Sequence, residues 1–99
     1  MPTQFDVYKT DDGSVVLLLS HPLTDGLPVW PVAALRPASS IRTPFSRLEP
    51  VLSSGDMRFV LSPYYLASVS PAELEAFLFN ASHQRDEIIR AFDVLLTGV

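Results

Sequence analysis

The sequence predicts a mainly β (α+β) protein, an antiparallel and strongly bent sheet with one C-terminal α-helix laid on it. Three observations lead there. Short apolar stretches with strand character recur along the chain, separated by clusters of Gly, Pro, Asp and Ser. Two of those clusters, Asp11-Asp12-Gly13 and Ser53-Ser54-Gly55-Asp56, sit between adjacent stretches as hairpin turns. The segment from Ser82 to Val99 changes period: Ile88, Ile89, Phe92, Leu95 and Leu96 fall at i, i+1, i+4, i+7 and i+8, one face of a helix.

Taken in order, Gln4-Phe5-Asp6-Val7-Tyr8 alternates polar and apolar at period two and reads as a half-buried strand. After the turn at Gly13, the run Val15-Val16-Leu17-Leu18-Leu19 suits a central strand covered on both faces, which completes a first hairpin. Residues Ser20 to Pro28 form a loop by composition. Val29-Trp30-Pro31-Val32-Ala33-Ala34 is a third strand, placed at an edge or a bulge because Pro31 has no N–H to donate. Arg36 to Pro50, with Pro37, Pro44 and Pro50 among Ser39, Ser40, Thr43 and Ser46, is expected to be irregular and pinned to the core by Phe45 and Leu48. Val51-Leu52 and Met57 to Leu61 make a second hairpin around Gly55, ended by Pro63, with Tyr64 to Val69 as a further extended segment. Ser70-Pro71-Ala72-Glu73 has the layout of a capping box, which predicts a short helix over Pro71 to Phe77. Ser82 is the expected N-cap of the terminal helix, with Asp86 and Glu87 favoured by its dipole, and the chain ends about where that helix ends. A helix of this length is marginal alone in water, so its apolar stripe requires the sheet.

Ninety-nine residues make one domain, without internal repeat or low-complexity segment. Hydrophobic residues are 47% and charged residues 18%, more apolar surface than a small monomer buries, which points away from disorder and toward oligomerisation. A net charge of −4 disfavours a nucleic-acid binder that works by bulk electrostatics and makes another protein the expected partner. The absence of cysteine excludes disulfides, thiolate metal sites and a cysteine nucleophile. With neither a signal-peptide pattern nor a membrane-length apolar run, the expected compartment is the cytoplasm.

The search for chemistry returns little. His21 and His83 have no second metal-type ligand at helical spacing and read as surface or capping residues. No G-x-S-x-G is present, and the four glycines are scattered at turns rather than gathered into a phosphate loop. Arg36, Arg42, Arg47 and Arg58 fall in one third of the chain and, with His21, offer the cation and base of a metal-free ribonuclease; ordinary solvated arginines are the plainer account. Trp30, Tyr8, Tyr64 and Tyr65 are either core filler or interface anchors.

The opening Gln4-Phe5-Asp6-Val7-Tyr8, the Val29-Trp30-Pro31-Val32 strand, Arg47-Leu48-Glu49-Pro50-Val51 leading into Gly55-Asp56, Ala67-Ser68-Val69, and Ser82-His83 followed by Ile88 and a terminal Gly98-Val99 together resemble CcdB, the toxin of the ccd toxin–antitoxin module. The likeness runs nearly end to end, with a shorter loop between Leu19 and Val29. It implies the fold shared by CcdB, MazF and Kid toxins, a small SH3-like antiparallel β-barrel with a C-terminal α-helix, assembled as a symmetric homodimer. It implies an inhibitor and not an enzyme, one that poisons DNA gyrase by binding its A subunit while the DNA is cleaved. Catalytic residues, metal ligands and cofactors are not implied.

The implied partners are a second copy, the gyrase A subunit, a CcdA-like antitoxin whose disordered C-terminal segment wraps the toxin, and operator DNA only through the autorepressing complex with that antitoxin; no membrane is involved, and the biological role is plasmid maintenance. The gyrase-binding residues carried over are Thr97, Gly98 and Val99, with Leu96 and Asp93 beside them. The family has Trp-Gly-Ile at its last three positions, so Gly98 matches, Val99 is one methylene smaller, and Thr97 stands in place of a large aromatic. The family also suggests an extended or irregular segment before Ser82, whereas Glu75 in place of a family glycine favours the local helix. Two alternatives stand beside this reading: a MazF-like endoribonuclease toxin using the arginine-rich middle segment, and a CcdB homologue that has lost toxicity and only binds antitoxin.

Overall fold

The computed structural model describes residues 2–19, 29–40 and 48–98. Among the described residues six strands, β1 (Asp6–Thr10), β2 (Val15–Leu18), β3 (Trp30–Pro37), β4 (Val51–Ser54), β5 (Met57–Val69) and β6 (Leu74–Asn80), precede the helix α1 (Arg85–Thr97). All pairings are antiparallel and the strand order is β4-β5-β3-β2-β1-β6, a sheet curled into a half-barrel. The predicted mainly β architecture with a C-terminal helix is thus the one observed.

Strand alternation sorts the apolar residues onto two faces. On one face Val7, Leu17, Ala33, Leu35, Leu52, Leu61 and Phe79 form the main core, and α1 closes it with Ile88 and Ala91. On the other, Val16, Leu18, Val32 and Val69 gather beneath Tyr8, Trp30 and Leu74. The run Val15-Val16-Leu17-Leu18 therefore feeds both clusters, as expected of a strand covered on both faces.

Several local expectations give way to tertiary pairing. Pro31 lies at neither an edge nor a bulge: β3 is interior, and Pro31 is its second residue, opposite Ser68. Its carbonyl accepts the Leu19 N–H at 3.0 Å, and the Leu19 carbonyl, which a non-proline at 31 would serve, accepts instead from Gln4 Nε2 at 3.3 Å. Arg36 and Pro37 belong to β3 rather than to an irregular excursion, because they continue its ladder opposite Val60 and Phe59. Leu48 is half-buried, while the expectations for Phe45 and for the Ser20 to Pro28 loop lie outside the described residues.

Pro63 does not end its strand. Ala34 pairs with Ser62 and Ala33 with Leu66, so Pro63, Tyr64 and Tyr65 form an insertion in β5 where a missing N–H costs the ladder nothing. The first strand begins at Asp6 and not at Gln4, because Phe5 adopts φ 68 and turns the chain. That conformation is expensive for a bulky residue, of the order of 1–3 kcal/mol. Here it lets Phe5 bury its ring while its N–H reaches the Leu18 carbonyl and its carbonyl takes the Ala81 N–H, both at 2.8 Å.

The capping box at Ser70 to Glu73 closes a single 3-10 turn, Pro71–Glu73, with Glu73 Oε2 accepting the Ser70 N–H at 2.6 Å. The expected helix to Phe77 does not follow. Leu74 turns extended and the chain pairs with β1 from Thr10↔Leu74 to Asp6↔Asn80, burying Phe79; a full ladder outweighs the helix preference of Glu75 and Ala76, so the family's extended segment is the correct one.

Ser82 is not the N-cap of α1. It opens a 3-10 turn (Ser82–Gln84), its N–H held by Asn80 Oδ1 at 2.9 Å, and Gln84 occupies the cap position without a side-chain cap bond. The Gln84 amide is used elsewhere: Oε1 accepts the Ser53 N–H and Nε2 donates to the Val51 carbonyl, both at 2.8 Å. The side chain satisfies the outer rim of edge strand β4 as a neighbouring strand would, and fastens the start of α1 to it. Gln84→Ala should therefore lower stability by about 1–3 kcal/mol, and Ile88→Ala by about 2–5 kcal/mol through the cavity it leaves, both read as urea-unfolding midpoints at unchanged far-ultraviolet circular dichroism.

Candidate functional site

The expected site residues lie at the end of α1. Leu96 is 79% exposed, and Asp93, Thr97 and Gly98 are exposed with it; Val99 lies outside the described residues. Gly98 takes the left-handed conformation, φ 78 and ψ 10, and its N–H closes the helix on the Val94 carbonyl at 2.9 Å. The Thr97 hydroxyl donates to the Asp93 carbonyl at 2.6 Å, so its polar atom is folded back onto the helix. The geometry brings Asp93, Leu96, Thr97 and Gly98 together as an outward-facing tip with one large apolar side chain. Ile89 and Leu95 are also partly exposed, so the apolar stripe read from the sequence is only half used by the core, through Ile88 and in part Phe92.

A second group was not legible in the sequence. On the sheet face away from α1, Arg36 Nη2 reaches Glu49 Oε2 at 3.4 Å and Ser62 Oγ at 3.2 Å, and the Tyr64 hydroxyl donates to the same Glu49 oxygen. Glu49 and Ser62 are buried, whereas Arg36 and Tyr64 are partly open to solvent. A buried carboxylate persists only when paired and hydrogen-bonded, and here it is both. The hydrogen bond to Glu49, followed by burial, pushes the Tyr64 phenol above its ordinary value of 10.0. Spacing cannot reveal this group: Arg36 and Ser62 meet because β3 pairs with β5, and Glu49 reaches them from before β4.

Of the remaining candidates, Tyr8 and Trp30 pack on the smaller core cluster, while Tyr64 and Tyr65 stand exposed with ring centroids 4.9 Å apart. The aromatic set therefore divides between core and surface. His83 Nε2 sits 3.0 Å from the Ser53 carbonyl, beside the Gln84 clasp. Arg58 is exposed on β5, and His21, Arg42 and Arg47 lie outside the described residues. Among the described residues no cluster of His, Asp and Glu is arranged to hold a metal ion, and no helix is long and apolar enough to cross a membrane.

Because the Tyr64 phenol is raised in the folded state, its contribution to stability is whole below pH 10 and declines as pH rises through the elevated value. Tyr64→Phe should cost about 1–2 kcal/mol near neutrality, the partial exposure of the ring discounting the figure for a buried charged pair, and should flatten the alkaline loss of stability above pH 10. Urea unfolding across that range, with tyrosinate absorbance followed in parallel, measures both.

Comparison with known proteins supplies the frame for these two features. No curated protein matches the sequence. Among solved structures, a mycobacterial endoribonuclease superposes with TM-score 0.75 at 15% identity, over 96% of this chain and 90% of that one. A mycobacterial endoribonuclease in complex with its cognate antitoxin superposes with TM-score 0.78 at 16% identity, over 97% of this chain and 95% of that one. At such identities the likeness is one of fold. The family model described as "CcdB protein" matches residues 4–98, nearly the whole sequence, and the chain belongs to the CcdB family.

Proposed function

We propose that the protein is a CcdB-like toxin of a type II toxin–antitoxin module: a cytoplasmic homodimer that inhibits DNA gyrase by binding its A subunit through the end of α1, and that joins its antitoxin in an autorepressing complex on operator DNA. The observation that carries this reading is the helix tip. Leu96 is left 79% exposed beside Gly98 in a chain of the CcdB family, an apolar side chain that the protomer's own core does not use. Symmetric pairing of two protomers would set two such tips about one axis, a geometry suited to a two-fold target. Val29, Tyr65 and Leu66 add exposed apolar surface of the kind a second copy covers. The likeness to a toxin fold solved with its antitoxin supports the antitoxin partner.

Thr97 in place of the family's aromatic weakens the contact by about 2–4 kcal/mol, a factor of roughly thirty to a thousand in affinity. Leu96, Gly98 and Val99 then carry most of what remains. The test uses supercoiled plasmid, purified gyrase and ATP, with linear DNA scored after denaturing the enzyme. Linear product is expected, lost on deletion of Thr97-Gly98-Val99 and enhanced by Thr97→Trp; no linear product with the host's own gyrase overturns the proposal.

A second reading, the endoribonuclease, is favoured by one feature: Arg36, Glu49 and Tyr64 place a cation, a carboxylate and a phenol within one cluster. Cleavage of RNA without gyrase, abolished by Arg36→Gln, would establish it in place of the first.

A further inference from the structure

Among the described residues the sheet ends in β4 on one side and β6 on the other, and its two edges are protected in different ways. An edge strand offers a row of backbone groups to any other extended chain, a hazard that bulges, charge or a covering element removes. Strand β6 has the first two, since its register with β1 shifts twice and Glu75 stands exposed on it. Strand β4 has neither. Val51-Leu52-Ser53-Ser54 carries no charge and pairs with β5 in unbroken register from Val51↔Val60 to Ser54↔Met57.

The covering element is the turn that opens α1. The Pro50 carbonyl accepts the Leu61 N–H at 2.9 Å, so by the alternation of an antiparallel ladder Leu52 and Ser54 direct their backbone groups to β5, and Val51 and Ser53 direct theirs outward. Gln84 Oε1 accepts the Ser53 N–H and Gln84 Nε2 donates to the Val51 carbonyl, both at 2.8 Å, while His83 Nε2 sits 3.0 Å from the Ser53 carbonyl. A carbonyl only accepts, so that ring nitrogen carries the proton. Gln84 Nε2 also donates to Glu87 Oε1 at 3.3 Å, which leaves the amide one orientation. Two consecutive side chains thus copy the donors and acceptors of a neighbouring strand, over an edge that has no bulge or charge of its own.

The same groups suit a second copy of the chain. Antiparallel pairing of β4 with β4 of another molecule, about a two-fold axis at Leu52, sets Val51 opposite Ser53 and Ser53 opposite Val51. Each Val51 carbonyl then takes the Ser53 N–H of the other copy, and each Ser53 carbonyl takes the Val51 N–H. The groups this pairing needs are those that His83 and Gln84 occupy, so the two states exclude each other.

We infer that the His83-Gln84 turn is an autoinhibitory latch: docking the start of α1 closes β4 against sheet extension by a second copy of this chain, and lifting that turn opens it. Helix seating and edge protection are then one event. The latch stands whether or not the helix end meets gyrase. An assembly of two protomers carries two such edges, so opening them leads to open-ended growth and not to one closed pair.

The test is sedimentation velocity over a range of protein concentrations, with far-ultraviolet circular dichroism, on the wild type, Gln84→Ala, Ser53→Pro and the double variant. Ser53→Pro takes a donor from the rim and none from the ladder to β5, because the Ser53 N–H faces outward. The wild type should keep one mass. Gln84→Ala should rise in mean mass about twofold or more with concentration at unchanged circular dichroism, and Ser53→Pro in that background should return it to the wild-type mass. Gln84→Asn, an amide one methylene too short to bridge both groups, should associate in the same way and keeps the test valid if Gln84→Ala does not fold. Three results overturn the inference: Gln84 variants that stay at the wild-type mass, association that Ser53→Pro leaves unchanged, or a wild-type mass that Ser53→Pro alone lowers, which would make β4 an open interface rather than a latched one.

Discussion

The seating of one helix on one curled sheet governs the rest of the molecule. Ile88 and Ala91 are fully buried against the core face, and an α-helix advances about 100° per residue. With those two side chains fixed inward, Leu96 is carried outward at the end of the helix and Ile89 is left half in solvent. The seating is set by polar contacts at the start of α1. Gln84 bridges both backbone groups on the rim of β4, and the Ala81 N–H meets the carbonyl of Phe5. The exposure of Leu96 is thus a geometric consequence of contacts made at the opposite end of α1.

The opposite sheet face follows from register. One insertion, Pro63-Tyr64-Tyr65, lies between the two stretches of the β3–β5 ladder and turns two aromatic rings toward solvent. It also sets the Tyr64 hydroxyl on Glu49, which Arg36 and Ser62 help to anchor. A buried carboxylate held in this way keeps Arg36 at the surface of that face, where Asp11, Asp12 and Glu73 also line a cleft. The protein therefore presents two unlike surfaces, an apolar helix tip on one side and a hydrogen-bonded charged cluster on the other.

Elements with strong local patterning were readable before the structure: the hairpin around Gly13, the doubly covered strand at Val15 to Leu18, the hairpin around Gly55 and the amphipathic C-terminal helix. The failures share a cause. At Leu74 to Asn80, at Pro31 and at Pro63, local preference was overruled by partners distant in sequence, namely β1, the Gln4 side chain and the bulged β3–β5 ladder. Ser82 had the right chemistry for a cap but the helix starts three residues later, because Gln84 is committed to β4. The helix tip was reached through family resemblance on residues whose exposure only the structure reports. The Arg36, Glu49, Ser62 and Tyr64 group was invisible, since no spacing rule links a strand arginine to a loop glutamate and a bulge tyrosine.

The central claim is that the end of α1 acts on a target and not on the fold. Its most direct measurement is growth of bacterial cells expressing the wild-type protein or Leu96→Asp, alongside the melting temperature of each purified protein. The account predicts growth arrest by the wild type, none by Leu96→Asp, and the same melting temperature for both, since Leu96 lies almost wholly in solvent. Equal arrest by both proteins would contradict it and move the toxic contact away from the helix end.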